Sequence, residues 1–151
     1  MLALVAALAL AAAPTPEEDV AAAIDALHAA ASRADGAAYF ALFAPDARFI
    51  GTDATERWTL AEFRAYAEPY FARGQGWTYT PVERTVTVAP IQCMCIAWFD
   101  EVLDSQSYGV TRGSGVLRKT RAGWKIEQYV LSFAVPNDRA RAVVEAIQAQ
   151  E

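Results

Sequence analysis

Apolar side chains recur three or four residues apart in the first half of the chain and mostly at every second position from Trp77 onward. That change of period predicts helices first and a sheet last. Val20, Ile24, Leu27 and Ala31 make the buried stripe of a first helix. Thr15-Pro16-Glu17-Glu18 opens it as a capping box with proline at the first helical position, and Asp35-Gly36 ends it. A short helix over residues 37–44 carries Tyr39, Phe40 and Phe43 and stops at Pro45, and residues 47–51 read as a strand leading into the loop GTDATERW. The next helix starts at a second capping box, Thr59 with Glu62. It buries Leu60, Phe63, Tyr66, Ala67, Tyr70 and Phe71, with Gly74 beyond its last turn and a kink expected at Pro69.

Thr80, Val82, Val86 and Val88 then alternate with polar neighbours. Residues 92–103, 108–119 and 123–135 follow as three strands joined by the polar turns DSQS and TRAG, which is a meander. A last helix over residues 137–149 carries Val143, Val144 and Ile147 on one side. The expected fold class is α+β, an antiparallel sheet packed on N-terminal helices with a C-terminal helix appended.

Within CIAWFDEVLD, residues 95–104, Asp100 and Glu101 are adjacent and so must point to opposite faces of a strand. A hairpin centred near residues 105 and 106 sets Asp100 opposite Arg112 and Trp98 opposite Ser114. The expectation is that Trp98, Asp100 and Arg112 share the inner face while Glu101 looks outward. Trp124 and Ile126 are expected in the core. Phe99, Leu117, Tyr129, Leu131 and Phe133 are then left for an outer face that could meet a second copy. His28, beside the first stripe, is expected to be a core-edge histidine hydrogen-bonded locally, because no carboxylate is evidently placed for it.

A chain of 151 residues is one domain of ordinary size. Its net charge of -5, with no cluster of lysine and arginine, excludes a nucleic-acid surface. Residues 1–13, MLALVAALALAAA, are too short to span a bilayer and have the length of a secretory signal core, so a periplasmic or secreted protein is expected. If they are no signal, the protein is cytoplasmic. No cysteine follows the run to carry a lipid, so no stable membrane anchor is expected. Cys93 and Cys95, two apart on an extended segment, are expected to be buried thiols without a bond between them. No nucleotide loop, metal-ligand cluster or nucleophile elbow occurs, so neither a metal nor a cofactor is expected.

Four segments carry a resemblance: LFAPDARFIGTD at 42–53, ERWTLAEFRAYAEPYF at 56–71, AWFDE at 97–101 and RGSGVLRKTRAGWKIEQYVLS at 112–132. In that order and spacing the chain resembles the SnoaL-like branch of the nuclear transport factor 2-like superfamily, over a core of residues 19–135. The resemblance implies a conical, cystatin-like α+β roll whose curved sheet wraps the helices and encloses a pocket, commonly as a homodimer. Among related enzymes the ketosteroid isomerases use a carboxylate base and a phenol. Aligning LFAPDARFIG places these at Gly51 and Leu27, which carry no such chemistry. The association domain of calcium/calmodulin-dependent kinases has an arginine where Asp100 stands here.

The leading expectation is an exported protein that binds a small, partly apolar ligand in an enclosed aromatic pocket. Trp58, Tyr66, Tyr70 and Trp98 would line it, with Asp100, Arg112 and Gln128 as polar anchors. One alternative is an enzyme of isomerase, dehydratase or hydrolase type, with Asp100 as acid or base and Tyr66 or Tyr70 donating to an oxyanion. The other is a non-catalytic dimeric interaction module.

Overall fold

A computed structural model describes residues 13–149. The two capping boxes set where the long helices begin. Helix α1, Pro16–Ser32, starts where the Thr15 hydroxyl accepts from the Glu18 amide at 3.2 Å and the Thr15 amide donates to the Glu18 carboxylate at 2.7 Å. Helix α3, Leu60–Phe71, repeats the arrangement with Thr59 and Glu62 and runs on through Pro69. Between them α1 ends at its cap Arg33 and the left-handed Ala34 (φ 55°), and Asp35 caps the next helix, accepting from the Ala38 amide at 3.0 Å to open α2, Gly36–Ala41.

The strands are β1 (Phe43–Ile50), β2 (Arg57–Thr59), β3 (Thr80–Val88), β4 (Ile96–Ser105), β5 (Gly109–Thr120) and β6 (Gly123–Phe133). They form one curved, unclosed sheet in the order β2-β1-β6-β5-β4-β3, parallel between β1 and β6 and antiparallel elsewhere. The helices lie against its inner face, and Val20, Ile24, Leu27, Phe63, Leu103, Leu117 and Ile126 fill the space between with almost no exposure. This is the α+β class that the period change predicts, in the rolled form that the resemblance implies. Strand β1 begins earlier than expected, at Phe43, with its register interrupted between Phe43 and Arg48 around Pro45. Strand β2, inside GTDATERW, is too short to leave a period.

Helix α4, Ala140–Gln148, follows a single 3-10 turn at Asn137–Arg139 and leaves Val143, Val144 and Ile147 exposed. The leader over residues 1–13 lies, but for Ala13, outside the described residues.

The expectation for the cysteines is overturned. Cys93 and Cys95 form a disulfide with Cα atoms 5.1 Å apart. Residues 89–95 are a turn and not a strand: the Met94 amide donates to the Ile91 carbonyl at 2.9 Å, and Met94 itself has φ 44°. That left-handed residue folds the two flanking α-carbons toward each other, where an extended strand would hold them at the edge of bonding range. Cys93 is exposed and Cys95 half-buried. We expect the unreduced protein to show no thiol to a colorimetric reagent in denaturant, and two after reduction; free thiols before reduction would contradict the bridge.

Candidate functional site

The faces of the meander are decided by β4. Ala97, Phe99, Glu101, Leu103 and Ser105 point inward and are buried, whereas Trp98, Asp100 and Asp104 are exposed. Each β4 residue pairs two positions further along β5 than expected, Asp100 with Ser114, Glu101 with Gly113 and Phe99 with Gly115, for the inner and outer positions alike. A two-residue slip preserves parity, so Trp98, Asp100 and Arg112 do share a face, but it is the outer one. Trp98 is 45% exposed, and Arg112 reaches Asp100 only diagonally, at 3.9 Å between exposed side chains. The predicted inner anchors are therefore not in the interior, and Asp100 loses its support as an acid or base there.

Strand β6 adds a second reversal. Trp124 and Ile126 are buried as expected, but the register jumps so that Val116 pairs with Gln128 and Leu117 with Ile126, leaving Glu127 as an extra residue. This bulge flips the parity. Tyr129 and Leu131 turn inward, and Gln128, expected in the pocket, faces out beside Val116. The supposed outer face of Phe99, Leu117, Tyr129 and Leu131 is core, and of that set Phe133 alone is exposed, at 48%.

Pooling the charges on β4 and β5 by parity would have found the faces. The even positions hold Asp100, Asp104, Arg112 and Arg118, while the odd positions hold Lys119, exposed at the far end of β5, and, in the interior, Glu101 alone. That carboxylate is 1% exposed. Its Oε1 meets His28 Nε2 of α1 at 2.8 Å and accepts the Tyr129 hydroxyl of β6 at 3.2 Å. Its Oε2 accepts Arg84 Nε of β3 at 2.8 Å, and Arg84 Nη1 continues to Asp25 at 2.7 Å and the Ala21 carbonyl at 3.3 Å. His28 is therefore held by a carboxylate 73 positions away and not by a local bond. Gly113 makes the cluster possible: a β-carbon there would lie 2.6 Å from the Tyr129 hydroxyl and 2.8 Å from Glu101 Oε1.

Burial alone would push the Glu101 carboxyl up, but hydrogen bonds and charge from His28 and Arg84 outweigh it and hold it below the ordinary glutamate value. The same carboxylate adds to burial in holding the Tyr129 phenol well above the usual tyrosine range.

In front of this cluster is a cavity of about 160 Å³. His28, Leu27 and Tyr129 form its inner wall; Phe49, Trp58 and Phe63 stack in sequence along one side, with centroids 3.8 Å apart for Phe49 and Phe63 and 5.7 Å for Trp58 and Phe63. Tyr66 stacks on Trp58 at 4.9 Å. Trp77, Tyr79 and Tyr108 complete the wall, and burial with its phenolic and Glu56 neighbours pushes Tyr79 up to about 12. Of the expected pocket residues, Trp58 and Tyr66 line the cavity; Tyr70 lies behind Tyr66, 5.5 Å away and 40% exposed. Gly51 and Leu27, where the isomerase alignment places its base and phenol, both lie on the wall. The residue next to Leu27 is His28.

Because the folded-state value of Glu101 is depressed, its contribution to stability is full above the ordinary glutamate range and is lost as the pH falls through the folded value. Glu101→Gln should be less stable than the parent at neutral pH, and chemical denaturation across the acid range should show the gap closing as pH falls; a widening gap would contradict an ionised, buried Glu101. Arg84→Met, which strands the carboxylate, should cost about 3–5 kcal/mol in the same assay at neutral pH.

The family model described as SnoaL-like domain matches residues 20–136. A candidate dehydratase of the NTF2-like family from Streptomyces avermitilis superposes with a TM-score of 0.66 at 16% identity, covering 80% of this chain and 96% of its own. A domain with a cystatin-like fold from Nostoc punctiforme gives 0.65 at 19%, covering 88% and 86%. A candidate ketosteroid isomerase from Shewanella frigidimarina gives 0.60 at 20%, covering 78% and 97%. At these identities the likeness shows the fold alone. No curated protein matches the sequence.

Proposed function

We propose that this chain, which belongs to the SnoaL-like domain family of the nuclear transport factor 2-like superfamily, receives a small, partly apolar molecule in the cavity in front of His28. The observation that carries the reading is the wall itself: stacked Phe49, Trp58, Phe63 and Tyr66 on one side and an imidazole hydrogen-bonded to a buried carboxylate on the other. Apolar walls with a few convergent polar groups are what small-molecule sites present. A volume of about 160 Å³ suits one or two fused rings, since apolar cavities of about 150 Å³ take up benzene. Among the described residues no lysine or arginine lines the cavity, and Glu56 does, so an anionic ligand would lose its hydration without a counter-charge. An anion is therefore disfavoured, and the ligand proposed here is a neutral one. Export goes with this reading, supported by the apolar leader at residues 1–13 and by the Cys93–Cys95 bridge, a chemistry of oxidising compartments.

A panel of neutral one- and two-ring molecules, phenol and coumarin among them, tests this by calorimetry against benzoate. Neutral members should bind and benzoate should not, and Trp58→Ala should weaken binding by about tenfold, the loss of one aromatic contact. Preference for benzoate, or indifference to Trp58→Ala, would contradict the assignment.

A second copy of the chain is the proposed partner of the outer sheet face. Trp98, 45% exposed, stands there among the half-buried Val102, Val116 and Val130, with Asp100 and Arg112 supplying opposite charges for a two-fold contact. Light scattering should give a dimer for the parent and a monomer for Trp98→Glu, with unchanged far-ultraviolet circular dichroism; a monomeric parent would contradict it.

A further inference from the structure

We infer that His28 is the proton-transfer residue of the cavity, with Glu101 as its positioning residue, acting on a neutral, ring-sized molecule that carries an acidic C–H bond. The inference rests on the reading of the cavity as a ligand site and adds a reaction to it. An ionised carboxylate can only accept hydrogen bonds, so the 2.8 Å contact requires the proton on His28 Nε2. In the neutral ring Nδ1 then keeps its lone pair. That atom makes no hydrogen bond to the described residues, and His28 is part of the cavity wall.

The carboxylate has two further donors beside the imidazole. Arg84 supplies the counter-charge at Oε2 and Tyr129 a hydroxyl at Oε1. What the histidine gains is a fixed tautomer and ring orientation, the service a buried carboxylate gives a general base. The wall carries no cysteine, serine or lysine among the described residues; it carries Thr52 and Glu56, and the Glu56 carboxylate accepts the Asp53 amide at 3.2 Å, so the base role falls to His28, working on the substrate's own proton. The Tyr66, Tyr79 and Tyr108 phenols on the same wall are the donors available to negative charge that develops as the proton leaves.

Nitrobenzisoxazole is a neutral bicyclic probe of suitable size whose cleavage needs nothing except a base. His28 Nδ1 takes the ring C–H proton, the C–H electron pair becomes the third carbon–nitrogen bond, and the N–O bond breaks with its pair left on the phenolate oxygen. The imidazolium then returns its proton to water, and the cyanonitrophenolate is followed by its colour. The parent protein should turn the probe over about 100-fold faster than His28→Gln, the contribution of one placed base. Glu101→Gln should lower kcat by about tenfold at unchanged KM, a split that a purely structural carboxylate would not give.

Binding is read separately by calorimetry with nitroindole, which has the same shape and no N–O bond. If nitroindole binds and the parent is no faster than His28→Gln, proton transfer is overturned while the ligand site stands. If nitroindole does not bind and no turnover is seen, both fall. Should His28→Gln fail to fold, long-range nitrogen–proton NMR of the parent decides the matter, because His28 is the only histidine in the chain. The neutral ring must carry its proton on Nε2; a proton on Nδ1 overturns the inference.

Discussion

One buried carboxylate organises the inside of this molecule. Glu101 sits fully enclosed on β4 and receives donors from α1, β6 and β3, so three elements distant in sequence converge on two oxygen atoms. Taking a charge out of water is costly unless it is paired and hydrogen-bonded, and here every contact acts in that direction. Arg84 extends the pairing to Asp25 near the surface, which fastens α1 across the sheet edge. The consequence for function is geometric: the imidazole of His28 is held at the cavity wall by a group that is not itself on that wall.

The same constraint explains features that otherwise look unrelated. Gly113 faces Glu101 because any side chain there would displace the Tyr129 hydroxyl and the carboxylate. Gly115 leaves room for Phe99, whose ring packs 5.9 Å from that of Tyr129. The bulge at Glu127 is what turns Tyr129 inward, since without it the phenol would fall on the outer face. A bulge, a glycine and a charge therefore act together, and none of the three has meaning alone. The family fold supplies the scaffold, while chemistry on such scaffolds resides in the particular residues that reach the hollow.

Much of the architecture is legible in the chain because its signals are local. The capping boxes at Thr15 and Thr59, the stripe from Val20 to Ala31 and the alternation after Trp77 each depend on residues within one turn or one strand. The faces of the sheet are less legible, because Ile96, Ala97, Trp98 and Phe99 are apolar on both parities and the run by itself does not choose a side. Tryptophan suggests the interior more strongly than alanine, and that preference misplaces Trp98, Asp100 and Arg112 together. The charges pooled over two strands point the right way, since four lie on one parity and two on the other, one of those being Lys119 at the exposed end of β5. The bulge in β6 and the left-handed Met94 between the cysteines have no local signature, and so Tyr129, Gln128 and the disulfide stay hidden until the chain is folded.

The account stands or falls on Glu101 being charged and enclosed. Carbon NMR of protein labelled at glutamate carboxyls, with the Glu101 resonance assigned by its loss in Glu101→Gln, measures this directly. The account predicts a carboxyl that remains ionised below the pH at which an ordinary glutamate takes up its proton. A Glu101 signal that titrates together with those of exposed glutamates, or at higher pH, would contradict it.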